Sequence, residues 1–83
     1  MIRFEWDEAK NRNNQRKHGL DFETARYVFV DPQRWHAIGS IESIIIIVVV
    51  HTYREEASDE VIRIVSARRA TRHESDLYAQ ANG

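Results

Sequence analysis

The chain has 83 residues, 12 basic and 13 acidic side chains for a formal net charge of −1, and no cysteine. That length carries one domain, residues 1–83, with a modest core and no second one; the missing thiols exclude disulfides and thiolate metal sites. Near-neutral charge excludes a general pull toward nucleic acid, and with no apolar run fit for a signal peptide or a bilayer span the chain is expected to be soluble and cytoplasmic, with no membrane partner.

Ile2 to Trp6 alternates apolar and polar residues and predicts an edge strand. Asp7 can cap a helix from Glu8 to His18, closed by Gly19. Its interior, EAKNRNNQRKH, holds a single Ala among polar residues, so it offers no apolar stripe. Two readings stay open: a solvated surface helix, or a basic face for RNA or a partner protein. Asp21 caps a second helix through about Val30, with Phe22, Ala25, Val28 and Phe29 at core spacing, and Asp31-Pro32 ends it. Arg34 to Ile41 predicts a strand weakened at Gly39. Ser43 to Arg54 contains seven consecutive β-branched apolar residues, Ile44 to Val50, too few for a membrane helix and too unbroken for an amphipathic one. It predicts a central strand with Ile45, Ile47, Val49, His51 and Tyr53 on one face. Glu55 to Asp59 predicts a hairpin loop, and Glu60 to Ala67 the return strand, with Ile62, Ile64, Ser66 and Arg68 sharing a face. Thr71-Arg72-His73-Glu74 matches a capping box that opens a C-terminal helix with Leu77, Tyr78 and Ala81 on its apolar edge. The order is βααβββα, an α+β fold with a small antiparallel sheet.

Of the 12 basic residues, ten are arginine. The planar guanidinium fork suits phosphate or carboxylate, so the bias points to an anionic partner. The basic residues gather at Lys10, Arg12, Arg16 and Lys17 and again at Arg63, Arg68, Arg69 and Arg72. The four histidines show neither His-x-x-His spacing nor a cysteine beside them and make no case for zinc.

Three segments together resemble a known family: FEWDEAKNRNNQRKHG at 4–19, DFETARYVFVDP at 21–32 and VIRIVSARRATRHE at 61–74. The combination of W-D-x-x-K, K-H-G, D-P and S-A-R-R-A-T is similar to the BrnT family of type II toxins. The resemblance implies a fold like the RelE-type ribonuclease toxins, a cytoplasmic bacterial ribonuclease that halts translation, and a BrnA-type antitoxin partner whose DNA-binding domain lets the complex repress its own operon. One departure is the connection Asp31-Pro32-Gln33-Arg34-Trp35, shorter than the family's polar loop; either that loop is deleted, or a segment of the natural protein is missing at this seam, which the abruptness beside Arg34 favours.

RNA cleavage without a metal needs a base for the 2′-OH, cations around the phosphorus and an acid for the 5′-oxygen. The catalytic candidates are Arg68, Arg69, Arg34, His51 and Lys17; Lys10, Arg12, Arg16, Arg54 and Arg63 are candidates for holding RNA. Each has a plainer alternative. Arg68 and Arg69 can be solvated charge at a helix entry, His51 a packing residue at a strand end, and His18 a cation on a helix C-terminus. His36 and His73 read as structural or surface residues. No cofactor is implied. A competing function is a non-catalytic module that binds nucleic acid or protein through the same basic surface. A metabolic enzyme is disfavoured, because three glycines leave no phosphate loop. Among the cations Arg68 is expected to clamp the phosphate.

Overall fold

The computed structural model describes residues 1–42 and 45–82. Ser43 and Ile44, at the start of the expected central strand, lie outside the described residues. Along the chain run β1 (Ile2–Glu5), α1 (Glu8–His18), α2 (Phe22–Ala25), a 3₁₀ segment (Arg26–Val30), β2 (Ile38–Ile41), β3 (Ile45–Glu56), β4 (Asp59–Arg69) and α3 (Arg72–Asn82).

Local chemistry sets the boundaries. The Asp7 carboxylate accepts from the N–H groups of Ala9 and Lys10 at 2.8 and 3.2 Å, and Gly19 closes α1 in the left-handed region at φ 71°. Asp21 caps α2 through the Thr24 N–H at 2.8 Å. The expected second helix therefore begins where the capping residue puts it, but after Ala25 it tightens into 3₁₀ geometry. Gly39 is no weak spot. A Cβ there would sit 2.7 Å from Val28 Cγ1, so its missing side chain lets β2 approach the 3₁₀ segment. The strand expected from Arg34 starts only at Ile38. Before it, Asp31 shapes a tight turn, with the Arg34 N–H on the Asp31 carbonyl at 3.1 Å and the Gln33 N–H on its carboxylate at 2.9 Å. The short connection between Asp31 and Trp35 is thus spanned by a closed turn. The hairpin loop also shrinks: Glu56 pairs with Asp59, leaving Ala57 and Ser58 as the turn, with Ala57 at φ 55°.

The sheet has the order β1-β4-β3-β2, and two features correct the expected pattern. First, it is mixed rather than antiparallel, because β1 pairs with β4 in parallel, Phe4 opposite Ile62. The α1–α2–3₁₀ stretch is the crossover that parallel placement requires, carrying the chain from one sheet edge to the other across a single face. Second, the β3–β4 register jumps between Val50 opposite Ser66 and His51 opposite Ile64, leaving Val65 unpaired as a β-bulge. Alternation is broken there. Ile62, Ile64 and Ala67 all face the helical crossover, whereas Ser66 and Arg68 turn to the other side, so the expected common face of Ile62, Ile64, Ser66 and Arg68 does not exist.

On the crossover face, Phe22, Ala25 and Val28 meet Ile47, Val49, Ile64 and Ala67, all essentially without exposure. Each large aliphatic or aromatic side chain buried there contributes roughly 1.5–3 kcal/mol. Among the described residues the opposite face is covered only at one end, where Tyr78 of α3 packs on Ile38 and Val48.

Helix α1 is held by amides rather than by apolar contacts. Asn11, Asn14 and His18 share its inner face at i, i+3 and i+7, and Asn14 is buried, 6% exposed. β1 covers β4 only through Arg63, which would leave the later edge of β4 unpaired. The Asn14 side chain closes that gap: its Oδ1 accepts from the Ala67 N–H at 3.0 Å, and its Nδ2 donates to the Ala67 and Leu20 carbonyls, both at 2.8 Å. Asn11 Oδ1 accepts from the Phe22 N–H at 2.8 Å. A helix with no apolar stripe is therefore docked, which corrects the solvated reading for its inner face. We predict that Asn14→Ala destabilises the protein by about 2–4 kcal/mol, since it orphans buried backbone groups. On a solvated helix the same change is neutral or stabilising by propensity. Urea denaturation of wild type and variant decides the sign.

Candidate functional site

Past Val49 the crossover face is only partly covered. Here the bulged register sets His51 and Tyr53 of β3 beside Ile64 and Ile62 of β4. Phe29, from the 3₁₀ segment, leans over this end. Its ring meets His51 edge-on at 4.7 Å and Phe4 at a tilt at 5.7 Å, and the Arg34 guanidinium lies 4.9 Å over its centre. Together Ile2, Phe29, Arg34, His51, Tyr53, Glu60 and Ile62 line a cavity of about 250 Å³. Two of the sequence-level catalytic candidates, Arg34 and His51, thus meet in one concavity although 16 residues lie between them.

The orientation of His51 has a chemical consequence. Its Nδ1 lies 3.0 Å from the Val49 carbonyl oxygen. A carbonyl can only accept, so in the neutral ring Nδ1 carries the hydrogen and Nε2 keeps its lone pair. That is the protonation pattern of a general base, held by backbone. Tyr53 donates its hydroxyl to Glu60 at 3.0 Å, with Glu55 at 3.4 Å. The Glu60 hydrogen bond, desolvation and the two carboxylate charges push the phenol up to about 12, which keeps Tyr53 protonated and excludes it as a base near neutral pH. Sequence reading passed over Tyr53 and Glu60; the signal was Tyr53 alternating with His51 on the central strand, followed at the hairpin by two carboxylates.

The remaining candidates fall elsewhere. Arg69 is exposed on the crossover face opposite Ile47, four residues from His51 along β3, or about 13 Å at ~3.3 Å per residue. Lys17 is exposed on the last turn of α1. Arg68 sits on the other face, where both ends of its fork bind Glu74, at 2.7 and 2.9 Å. Glu74 in turn accepts from the Thr71 N–H at 2.9 Å while Thr71 accepts from the Glu74 N–H at 3.2 Å, so the capping box is real and Arg68 is its clamp. Arg54 and Arg63 share that second face and converge on Glu5: Arg54 at 2.6 and 3.1 Å, Arg63 at 3.4 Å. The Arg54 pair first, then Arg63, holds the Glu5 carboxyl down to about 2. Their charge is neutralised within the protein. Lys10, Arg12 and Arg16 project from the exposed side of α1; Arg16 bonds the Asn13 side chain, and none of the three forms an ion pair among the described residues. Among those residues no three His, Asp or Glu groups cluster closely enough to hold a metal ion, and no helix is long and apolar enough to cross a membrane.

A four-stranded mixed sheet crossed by helices on one face, with a histidine and an arginine lining a cavity at its open end, defines a small α+β protein. The chain belongs to the family of ribonuclease toxins, BrnT, of type II toxin-antitoxin systems, whose model matches residues 6–74. It is also similar in structure to the Brucella abortus ribonuclease toxin BrnT, with 28% identity and a TM-score of 0.62 over 87% of this chain and 100% of that one. No curated protein sequence matches it.

The Arg68–Glu74 clamp gives a pH signature. Arg68 first, then the Thr71 N–H, lowers the Glu74 carboxyl from 4.5 to about 2. A carboxyl with a depressed folded-state pKa stabilises above its unfolded value and loses that contribution as pH falls toward the folded one. The melting temperature of wild type is expected to drop between pH 5 and pH 2 more steeply than that of Glu74→Gln, the difference isolating this group from Glu5, Asp7 and Asp31. Parallel curves would show that the clamp does not stabilise the fold.

Proposed function

We propose that this chain is a metal-independent endoribonuclease toxin in which His51 takes the proton from a ribose 2′-OH and Arg34 binds the reacting phosphate. The observation that carries this reading is the His51 Nδ1 hydrogen bond to Val49, which leaves the Nε2 lone pair free on a ring that lines the same cavity as Arg34. The attacking oxygen forms a 2′,3′-cyclic phosphate as the bond to the 5′-oxygen breaks, and the leaving oxygen takes up a proton. Arg34 is always charged and can face two phosphate oxygens at once, so it stabilises the charge that grows in the transition state. Lys17 and Arg69, exposed at a distance from the cavity, together with Lys10, Arg12 and Arg16, supply cations for flanking phosphates. Arg68 contributes by fixing the start of α3 rather than by touching RNA. Arg54 and Arg63, bound to Glu5, hold β1, β3 and β4 together on the far face.

In the cell we place the protein in the bacterial cytoplasm, related to RelE-type toxins, where RNA cleavage inhibits translation and a BrnA-type antitoxin neutralises it. Contact with operator DNA runs through the antitoxin alone. Exposed Val30 and Tyr27 beside the Asp31 turn offer apolar surface for such a partner.

The test is single-turnover cleavage of an unstructured RNA in EDTA with analysis of product ends. Wild type is expected to yield 2′,3′-cyclic phosphates. His51→Ala is expected to fall by about 10²- to 10⁴-fold, the range of general-base catalysis. Arg34→Ala should fall by about 10²- to 10³-fold, with partial rescue by lysine, which keeps the charge and loses the fork. Arg68→Ala should lower the melting temperature with little loss of rate per folded molecule. Wild-type rates in a folded His51→Ala would remove the base from this site. If the alternative holds and the chain only binds RNA, wild type will retard the RNA and leave it intact.

A further inference from the structure

Two groups that line the cavity, Glu60 and Tyr53, have no use in the phosphate chemistry. Glu60 lines it together with Arg34 and forms no ion pair among the described residues. Its Oε1 accepts the Tyr53 hydroxyl at 3.0 Å, which fixes the carboxylate. Glu55 stands directly across the strand pair, also turned to the Tyr53 hydroxyl, at 3.4 Å. A carboxylate repels phosphate, so placing one beside an anion-binding arginine is useful only if the ligand presents hydrogen-bond donors next to its phosphate. A nucleotide does so through its base.

We propose that Glu60 is a specificity residue that reads guanine in the RNA next to the cleaved phosphate, with Tyr53 as its positioning residue. This rests on the ribonuclease reading above. The argument is one of donor patterns. An ionised carboxylate has acceptors only. Adenine and cytosine each offer one amino group beside a ring-nitrogen acceptor, and uracil offers one ring N–H between two carbonyl oxygens. Only guanine presents two adjacent donors, N1–H and N2–H, that match both oxygens of one carboxylate; Oε1 accepts one of them on the lone pair that Tyr53 leaves and Oε2 accepts the other. The cavity, at about 250 Å³, lies just below the roughly 300–1,000 Å³ of typical small-molecule sites, a size for one base edge rather than a whole nucleotide. Ile2 and Ile62 supply apolar wall, and Arg34, stacked over Phe29, offers a planar face on which a base can lie.

Two measurements test it. Binding is read by fluorescence anisotropy with non-cleavable 2′-O-methyl trinucleotides UGU, UAU, UCU, UUU and UIU, where I is inosine, which lacks the guanine N2 amino group. Wild type is expected to bind UGU about tenfold or more tighter than the others, with UIU intermediate, as a good bidentate base contact implies. In Glu60→Gln the UGU:UUU ratio is expected to fall about tenfold, and in Tyr53→Phe by a smaller factor, with both variants folded by circular dichroism. Cleavage mapping on an RNA that contains every dinucleotide should show the same ratio changes. Equal binding of all five trinucleotides by wild type, or a preference for guanine that survives Glu60→Gln, would overturn the proposal. So would a uniform loss at every base in that variant, which would mark Glu60 as a proton-transfer group instead. Guanine-selective binding without any cleavage would leave this assignment standing and reject the ribonuclease reading.

Discussion

The amide of Asn14 is the interaction on which the arrangement of the rest depends. β4 is longer than the strand beside it, so half of one edge would present unpaired N–H and C=O groups to whatever covers it. An apolar helix packed there would bury them without partners, at about 1–3 kcal/mol for each. An asparagine side chain has the same donor and acceptor as a peptide group, and at Ala67 it acts as a one-residue substitute for the missing strand. Its remaining N–H reaches Leu20, so the same side chain also sets the turn between α1 and α2. From that anchor the crossover can run in only one direction. It brings Phe22, Ala25 and Val28 over the middle of the sheet and Phe29 to the end where His51 stands.

Arginine number overstates the free positive charge of this molecule. Arg3, Arg54 and Arg63 alternate with Glu5, Glu56 and Asp59 on the open face, forming a web of carboxylate pairs that include Arg3 with Glu56 at 3.3 Å and with Asp59 at 3.5 Å. Exposed pairs of this kind contribute little stability each. Their effect is to neutralise one side of the sheet and, with Val61 buried in register between Arg3 and Arg54, to shield an apolar residue that no helix covers. A phosphate approaching that face would have to displace a carboxylate already in place. The cavity around His51 has the opposite balance on its Arg34 side, where the guanidinium rests on an aromatic ring and has no carboxylate bound to it among the described residues.

Much of the local structure was legible because it depends on neighbours in sequence. Asp7 and Gly19 bound α1, Asp21 opens α2, the Thr71–Glu74 box opens α3, and the β-branched run makes the central strand. What was not legible depends on residues distant in sequence. Nothing in Ile2–Glu5 says that its partner is β4 in parallel rather than an antiparallel neighbour. Nothing in EVIRIVSARR marks Val65 as the bulge, because the requirement for it comes from helix packing: Ile64 and Ala67, three apart, must both face the crossover. That single extra residue explains why Arg68 was misplaced and why His51 was well placed. β3 has no bulge of its own, so its alternation holds from Ile45 to Tyr53, whereas β4 changes phase halfway. The polar composition of α1 misled in the same manner, since hydrophobic patterning cannot detect a helix docked by amides.

The site also shows how a loose connection can supply a precise group. The proposed base and phosphate ligand need fixed separation, and strands hold side chains better than loops do. His51 meets this requirement twice over, by its place in β3 and by the hydrogen bond to Val49. Arg34 lies outside any strand, four residues before β2, yet the stretch around it has little freedom. Asp31 accepts from the backbone of Gln33 and Ser40 and from the hydroxyl of Tyr78, the last at 2.7 Å, which ties the turn to β2 and to α3 together. Trp35 and Ile38 exchange backbone hydrogen bonds at 2.9 Å just beyond. The guanidinium is then settled on Phe29, the same ring that touches His51. His51 and Arg34 are thereby both referenced to one aromatic side chain, although one stands on a strand and the other on the connection between Asp31 and Trp35.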